Sequence, residues 1–514
     1  MPVDPGNTVV IRLNLGAWCG LPGKLAFLKG TRMTVPLKVG FVPASRGIFD
    51  QELAVKVRDD VIEAIRGAGM EVIAPDDNLT GNGLVQTPEE ARKTGELFEK
   101  EGVCGVVVGA LNFGNEVPAA LAALWRSDER PVMLFGVGED GELTPEASRR
   151  DSFCGLISIA TALRHRESKF VFPRRAVCFP TDAGFRLALF EFGNVCRAVT
   201  GVRGAVYGLF GPRPEEFETC AFDELSLLRK LGIRVVPVPL TTLFSVAEAV
   251  PVAVEREIVE DMEGSADCSG VSEGDLAKMA RLEAALESMI EEHGMGGLAL
   301  QCWTSIQDDY GVSPCFVMSR LTDRGTPCAC EVDIHGTLSM HLLSLVAGST
   351  AGLADWNNRH YRAADVFSAW HCGVFPLSLC SGEKRLSYHN ILADSTGTTE
   401  GKFGTVESRL DDGPVTMTRV TEHPRDTWPV LIAEGDVVDV PGSPPGSHGW
   451  VRVSDLDRLY AEVLRGFPHH TAITGGHVGG ALMAAAYFLG LDPVTPLSLE
   501  PAQLEIGPES GVRS

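Results

Sequence analysis

Hydrophobic positions first fall into order at Leu37. Leu37-Lys38-Val39-Gly40-Phe41-Val42-Pro43 reads as a strand that ends in the loop Ala44-Ser45-Arg46-Gly47. Residues 50–68 then carry Leu53, Val57, Val61 and Ile65 at helical spacing. Residues 70–74 look like the next strand, and residues 88–101 read as a helix with Thr87 as N-cap and Glu90 three positions on. A strand at 103–109, a helix at 118–125 and a strand at 131–136 continue the series. Strands and helices alternating across short loops are the mark of a parallel, doubly wound sheet. The glycine-rich stretch 1–36 fits no element.

The series restarts after Phe172-Pro173-Arg174-Arg175. It runs through a strand at 203–208, a helix around 222–231, a strand at 233–238 and a largely helical stretch at 242–257. A helix at 275–294 follows, with Leu282, Ala285, Leu286 and Ile290 on one face, and then a strand at 297–301. From about residue 380 the period shortens. Alternating runs at 413–420, 428–433 and 450–453 are separated by Gly, Pro and Asp, and a helix closes the chain at 479–489. The expected fold class is α/β: two doubly wound parallel-sheet α/β domains followed by a C-terminal antiparallel β-rich, barrel-like domain. The expected boundaries are 1–175, 176–350 and 351–514, in keeping with about 100–200 residues per domain.

Composition narrows the partners. Lys and Arg total 45 against 68 Asp and Glu, a net charge of 45 − 68 = −23. So acidic a chain lacks the clustered cations that nucleic acid or anionic lipid requires. Apolar residues make up 44 % of the chain, yet no apolar run approaches the ~20 residues of a membrane span. The 13 cysteines form no regular framework, and Cys328 and Cys330 stand too close together and too isolated in sequence for a zinc ribbon. With no leader pattern evident at the start, these features imply reduced thiols in a cytoplasmic protein. No phosphate-binding Gly-x-x-x-x-Gly-Lys-Ser/Thr is present and no Gly-x-Gly-x-x-Gly stands at a strand-to-helix turn, so no nucleotide cofactor is expected.

Three segments carry ligands for a divalent metal: Cys328-Ala329-Cys330-Glu331-Val332-Asp333, Leu353-Ala354-Asp355-Trp356 and Gly466-Phe467-Pro468-His469-His470-Thr471. Two carboxylates and an imidazole suit a borderline-hard ion such as Mn²⁺. With open positions, such an ion can grip oxygens on neighbouring carbons and polarise a carbonyl. Glu331 follows a strand and precedes a helix, where α/β sites form, although a carboxylate there also serves as a helix cap. Asp355 follows apolar residues and needs a partner, whether a metal, an Arg or backbone N–H groups. Adjacent histidines point apart in most backbones, so at most one of His469 and His470 binds an ion and the other positions substrate or shuttles a proton, the alternative being that both are structural or solvent-facing imidazoles. His371, after a helix-like stretch ending at Trp370, is either a donor near substrate or a packed side chain. Arg46, at the mouth of the first strand, suits a substrate oxygen or a neighbouring chain.

Together these residues resemble the L-fucose/L-arabinose isomerase family. The resemblance runs through Gly40-Phe41-Val42-Pro43-Ala44-Ser45-Arg46, Gln301-Cys302-Trp303, Cys330-Glu331-Val332-Asp333-Ile334-His335-Gly336, Ala354-Asp355-Trp356, His371-Cys372-Gly373, Gly413-Pro414-Val415-Thr416 and His469-His470-Thr471. It implies a Mn²⁺ (or other divalent cation) site made by Glu331, Asp355 and His470, with the two carboxylates also serving as the catalytic acid/base pair. It further implies sugar contacts from Arg46, Gln301, Trp303, His371 and His469, and a homo-oligomer, commonly a hexamer, with sites near subunit boundaries. The implied reaction interconverts an aldose and its ketose through a cis-enediol, with a hydride shift as the competing route. The substrate would be a deoxyhexose, a pentose or a C6-anionic hexose such as sulfoquinovose. Rival readings are an epimerase or aldolase on the same scaffold, and a non-catalytic sugar-binding protein.

Overall fold

The computed structural model describes residues 37–507 except 128 and 425, so the unassigned stretch 1–36 lies outside the described residues. The first sheet has six strands in the order Leu504–Ile506, Val171–Pro173, Val132–Gly136, Gly105–Ala110, Lys38–Ala44 and Glu71–Ile73. Its pairings are parallel except for the outermost, where Leu504–Ile506 runs antiparallel to Val171–Pro173. Gly105–Ala110 and Val132–Gly136 are buried along their whole length because helices cover both faces. The helix Pro88–Glu101 opens with the Thr87–Glu90 capping box and stops at Gly102 in the left-handed conformation.

The second sheet is parallel throughout, in the order Arg234–Val238, Val206–Phe210, Gly297–Leu300 and Cys328–Ala329. The helical stretch expected at 242–257 is two helices, Leu240–Glu248 and Val252–Ser265. Pro251 separates them, because its fixed φ and missing N–H suit a helix start and not a helix interior.

The third sheet has nine strands and is mostly antiparallel. One of them, Val366–His371, corrects the reading of a helix ending at Trp370. The run Val366-Phe367-Ser368-Ala369-Trp370 is too short and too uniformly apolar for its period to discriminate. Pairing with Gly352–Arg359 on one side and Ser447–Arg452 on the other makes it a strand. Six strands pair in a closed circuit: Ser447–Arg452, Val366–His371, Gly352–Arg359, His470–Gly475, Gly413–Val420 and Pro429–Val437, which returns to the first through Asp436↔Arg452 and Val437↔Val451. Phe367, Ala369, Met417, Leu431, Val451 and Ile473 fill its core. Among the described residues no helix is long and apolar enough to cross a membrane.

Two edges set up the site. Gly297–Leu300 and Cys328–Ala329 are neighbours in the parallel sheet, so Gln301-Cys302-Trp303 and Cys330-Glu331 leave it at the same carboxyl end. On the antiparallel side, Asp355 and His470 lie directly opposite each other on paired strands. The helix Ile334–Ala347 starts straight after Glu331-Val332-Asp333 and packs against both sheets.

Candidate active site

Glu331 and Val332 have φ of +59° and +62°. Residues with a Cβ seldom occupy that left-handed region, and a β-branched valine least of all. The turn therefore stores roughly 1–3 kcal/mol of strain per residue, a cost that concentrates at functional sites. It delivers the Glu331 carboxylate inward, where Oε2 lies 3.4 Å from Nε2 of His469 and 3.4 Å from Nε2 of His470. From the facing sheet, Asp355 brings Oδ1 to 3.7 Å from the same His470 nitrogen. Burial pushes the Asp355 carboxyl up, a rise that His371 and the His469–His470 pair only partly offset.

His470 is completely buried, and its orientation is fixed from behind. Its Nδ1 lies 2.7 Å from Oδ2 of Asp333. Asp333 in turn is gripped at both oxygens by Arg419, at 2.5 and 2.9 Å, and accepts the Gly336 N–H at 2.8 Å as the N-cap of its helix. Burial works to raise the Asp333 carboxyl, but the Arg419 guanidinium and the His470 imidazole outweigh it and hold Asp333 well below the usual carboxylate range. An ionised Asp333 assigns the His470 proton to Nδ1 and leaves Nε2 with a bare lone pair.

Glu331 Oε2, Asp355 Oδ1 and His470 Nε2 are thus buried, close together and without hydrogen-bond partners. Two carboxylate oxygens and an imidazole nitrogen left so would cost several kcal/mol. They fit a divalent cation, with a carboxylate-backed histidine as is usual at metal centres.

The other expected residues divide. His371 lies closer in than expected, because a ligand atom of its ring falls within 4.8 Å of those of Asp355 and His470, and its Nε2 is buried without a partner. His469 is half-exposed at the mouth, with Nδ1 3.4 Å from the Thr219 hydroxyl. Burial lowers its pKa, but Glu331 and Asp355, with Asp333 behind them, more than reverse that and hold it raised. Trp303 stands near it through Phe217, whose ring is 5.8 Å from Trp303 and 6.2 Å from His469. Gln301 donates Nε2 to the Trp303 carbonyl at 3.2 Å and keeps a buried, unpartnered Oε1. Arg46 is engaged elsewhere, with the Gly114 carbonyl at 2.9 Å, Glu116 at 2.7 Å and the Phe113 ring, all beside its own sheet.

Asp333, Arg419, Phe217 and His389, which meets Trp303 edge-on at 5.3 Å, were not singled out from the sequence. Neither was Cys220, whose sulfur lies within 4.8 Å of ligand atoms of Glu331 and His470. For Asp333 the signal was an Asp directly before a helix, two residues after Glu331. For Arg419 it was a cation inside an otherwise apolar and Thr-rich strand.

Comparison with known proteins bears on this geometry. Residues 40–203 match the family described as fucose/sulfoquinovose isomerase, N-terminal domain. Residues 369–495 match L-fucose isomerase, C-terminal domain. A sulfoquinovose isomerase of Priestia aryabhattai is 26 % identical over 467 residues, spanning 88 % of this chain and 97 % of that protein. A sulfoquinovose isomerase of Alkalicoccus urumqiensis is 27 % identical over 424 residues, or 79 % of this chain and 86 % of that one.

Proposed function

The chain belongs to the fucose isomerase-like family and is a sugar isomerase, and from that premise we propose that it interconverts an aldose and its ketose at the centre formed by Glu331, Asp355 and His470. The observation that carries the reading is the convergence of three buried, unpartnered ligand atoms. Sulfoquinovose is the first substrate to test, because proteins of that name align over most of the chain. We read the closed circuit of six strands as the barrel-like unit, and the protein as a homo-oligomer in which Arg46 reaches sugar from a neighbouring subunit.

Glu331, Asp355 and His470, with His371 beside them, would hold a divalent cation such as Mn²⁺. When bound, that ion polarises the sugar carbonyl and lowers the pKa of the neighbouring hydroxyl. The chain's own groups do the rest. Glu331 takes the proton from C2 of the aldose, and Asp355 returns one to C1 through a cis-enediol. Asp333, held by Arg419, keeps the His470 proton on Nδ1 throughout. His469 and Gln301 hold sugar hydroxyls at the mouth, and Trp303 and Phe217 form its apolar wall.

The test is product analysis with Mn²⁺ and a panel of sulfoquinovose, L-fucose and L-arabinose, run in D₂O. Ketose carrying solvent deuterium, and its loss in Glu331→Gln, are expected. Ketose formation that Glu331→Gln leaves intact would remove the site from consideration, and product free of deuterium would replace the enediol with a hydride shift.

A further inference from the structure

His470 belongs to two overlapping ligand sets. Asp355, His371 and His470 offer oxygen and nitrogen, whereas Cys220, Glu331 and His470 offer a sulfur in addition. Each set keeps its ligand atoms within 4.8 Å of one another, and all three members of the second are buried. Cys220 reaches this position at the end of the turn Glu218–Cys220, next to Thr219, which meets His469. The Glu331 and His470 atoms that face the centre have no hydrogen-bond partner.

Hardness separates the two sets. Oxygen and imidazole ligands suit Mn²⁺ or Mg²⁺, while a thiolate favours softer ions such as Zn²⁺ or Cd²⁺. We propose that Cys220, Glu331 and His470 form a thiophilic metal position that overlaps the isomerase centre, so that soft divalent cations compete there with the activating ion. On binding, the Cys220 S–H bond breaks, a sulfur–metal bond forms, and the proton leaves to solvent. The proposal rests on the reading that Glu331 and His470 hold the activating metal.

The full chain, reduced and stripped with chelator, is titrated separately with Cd²⁺ and Mn²⁺. Cd²⁺ is expected to produce an ultraviolet thiolate-to-metal charge-transfer band that saturates near one equivalent and is suppressed by excess Mn²⁺. Cys220→Ser and Cys220→Ala should lose the band and weaken Cd²⁺ by more than the roughly 10–100-fold that removal of an outer hydrogen-bond partner costs. Both should still take up Mn²⁺, which also reports that they are folded. A band that survives in Cys220→Ser assigns the sulfur to another thiol and overturns the proposal. So does a wild type that binds Mn²⁺ but shows no band. X-ray absorption at the cadmium edge of the wild type needs no variant, and a first shell without sulfur has the same consequence. Should the wild type fail to bind Mn²⁺, or Glu331→Gln bind it as tightly, the underlying metal reading falls instead.

Discussion

The sharpest consequence of the site concerns Asp333, which on this reading touches neither sugar nor metal. Replacing it by Asn keeps the shape but removes the charge that balances Arg419, a residue with no exposed surface. Breaking one half of a buried ion pair costs about 3–5 kcal/mol, because the other charge stays behind uncompensated. The Asn amide can also turn a donor toward His470 Nδ1, which moves the imidazole proton to Nε2 and blocks the lone pair meant for the metal. Loss of such an outer partner weakens metal binding by about 10–100-fold. The pH dependence has a definite sign. The folded pKa of Asp333 lies below its unfolded value, so the unfolded chain binds more protons in that window. Its stabilisation is complete above about pH 4, the ordinary carboxylate value, and fades as pH falls below it.

Urea unfolding at pH 7 and at about pH 2.5, below the ordinary carboxylate value, together with Mn²⁺ titration at neutral pH, measures each part. Asp333→Asn should lose stability most at pH 7, and the gap to wild type should narrow toward low pH. The double variant Asp333→Asn, Arg419→Met should recover much of the stability, since buried ion pairs are often replaceable by apolar groups. It should not recover the metal affinity, because His470 still lacks its acceptor. If the double variant regained tight Mn²⁺ binding, or Asp333→Asn bound Mn²⁺ like wild type, the idea that Asp333 acts through His470 would be wrong.

Three further outcomes are expected. Glu331→Gln and Asp355→Asn should each lower kcat by about 10²–10⁴-fold, the range for loss of a general acid or base, with far-ultraviolet circular dichroism unchanged. His470→Ala should abolish stoichiometric Mn²⁺ binding, whereas His469→Ala should retain it and raise KM; the reverse order in a metal titration would exchange their roles. Val332→Gly relieves the left-handed valine but empties a position only 2 % exposed, and it should lower stability by about 1 kcal/mol in thermal unfolding, because lost packing and added unfolded-state freedom outweigh the strain relieved.

Much of the fold could be read locally. Thr87 and Glu90 announced their helix because both halves of a capping box lie within four residues. The stretch ending at Trp370 was misread because no local period decides a short apolar run, and its strand partners come from residues 352–359 and 447–452. The site divides along the same line. Glu331, Asp355 and His470 stood out as metal-type ligands in otherwise apolar surroundings, and the fold brings them together. Asp333 did not, because a carboxylate before a helix already has an ordinary task as cap, and its second partner is 137 residues away. The cysteines illustrate the same limit. Cys330 looked isolated from other thiols along the chain, yet its sulfur lies 2.8 Å from that of Cys302, and Cys315 and Cys372 approach to 3.7 Å.

What remained invisible was the layer that supports the ligands, and there is a physical reason for that. A ligand must be an acceptor of the right hardness, so residue type alone makes it a candidate. A supporting residue need only present the complementary charge in the right place, which many side chains can do. Asp333 and Arg419 are defined by a sequence separation of 86 and by the register of the strand Gly413–Val420, neither of which composition or periodicity expresses. In a site assembled from two sheets, the groups that decide whether His470 presents a lone pair or a proton are therefore those a linear reading is least equipped to find.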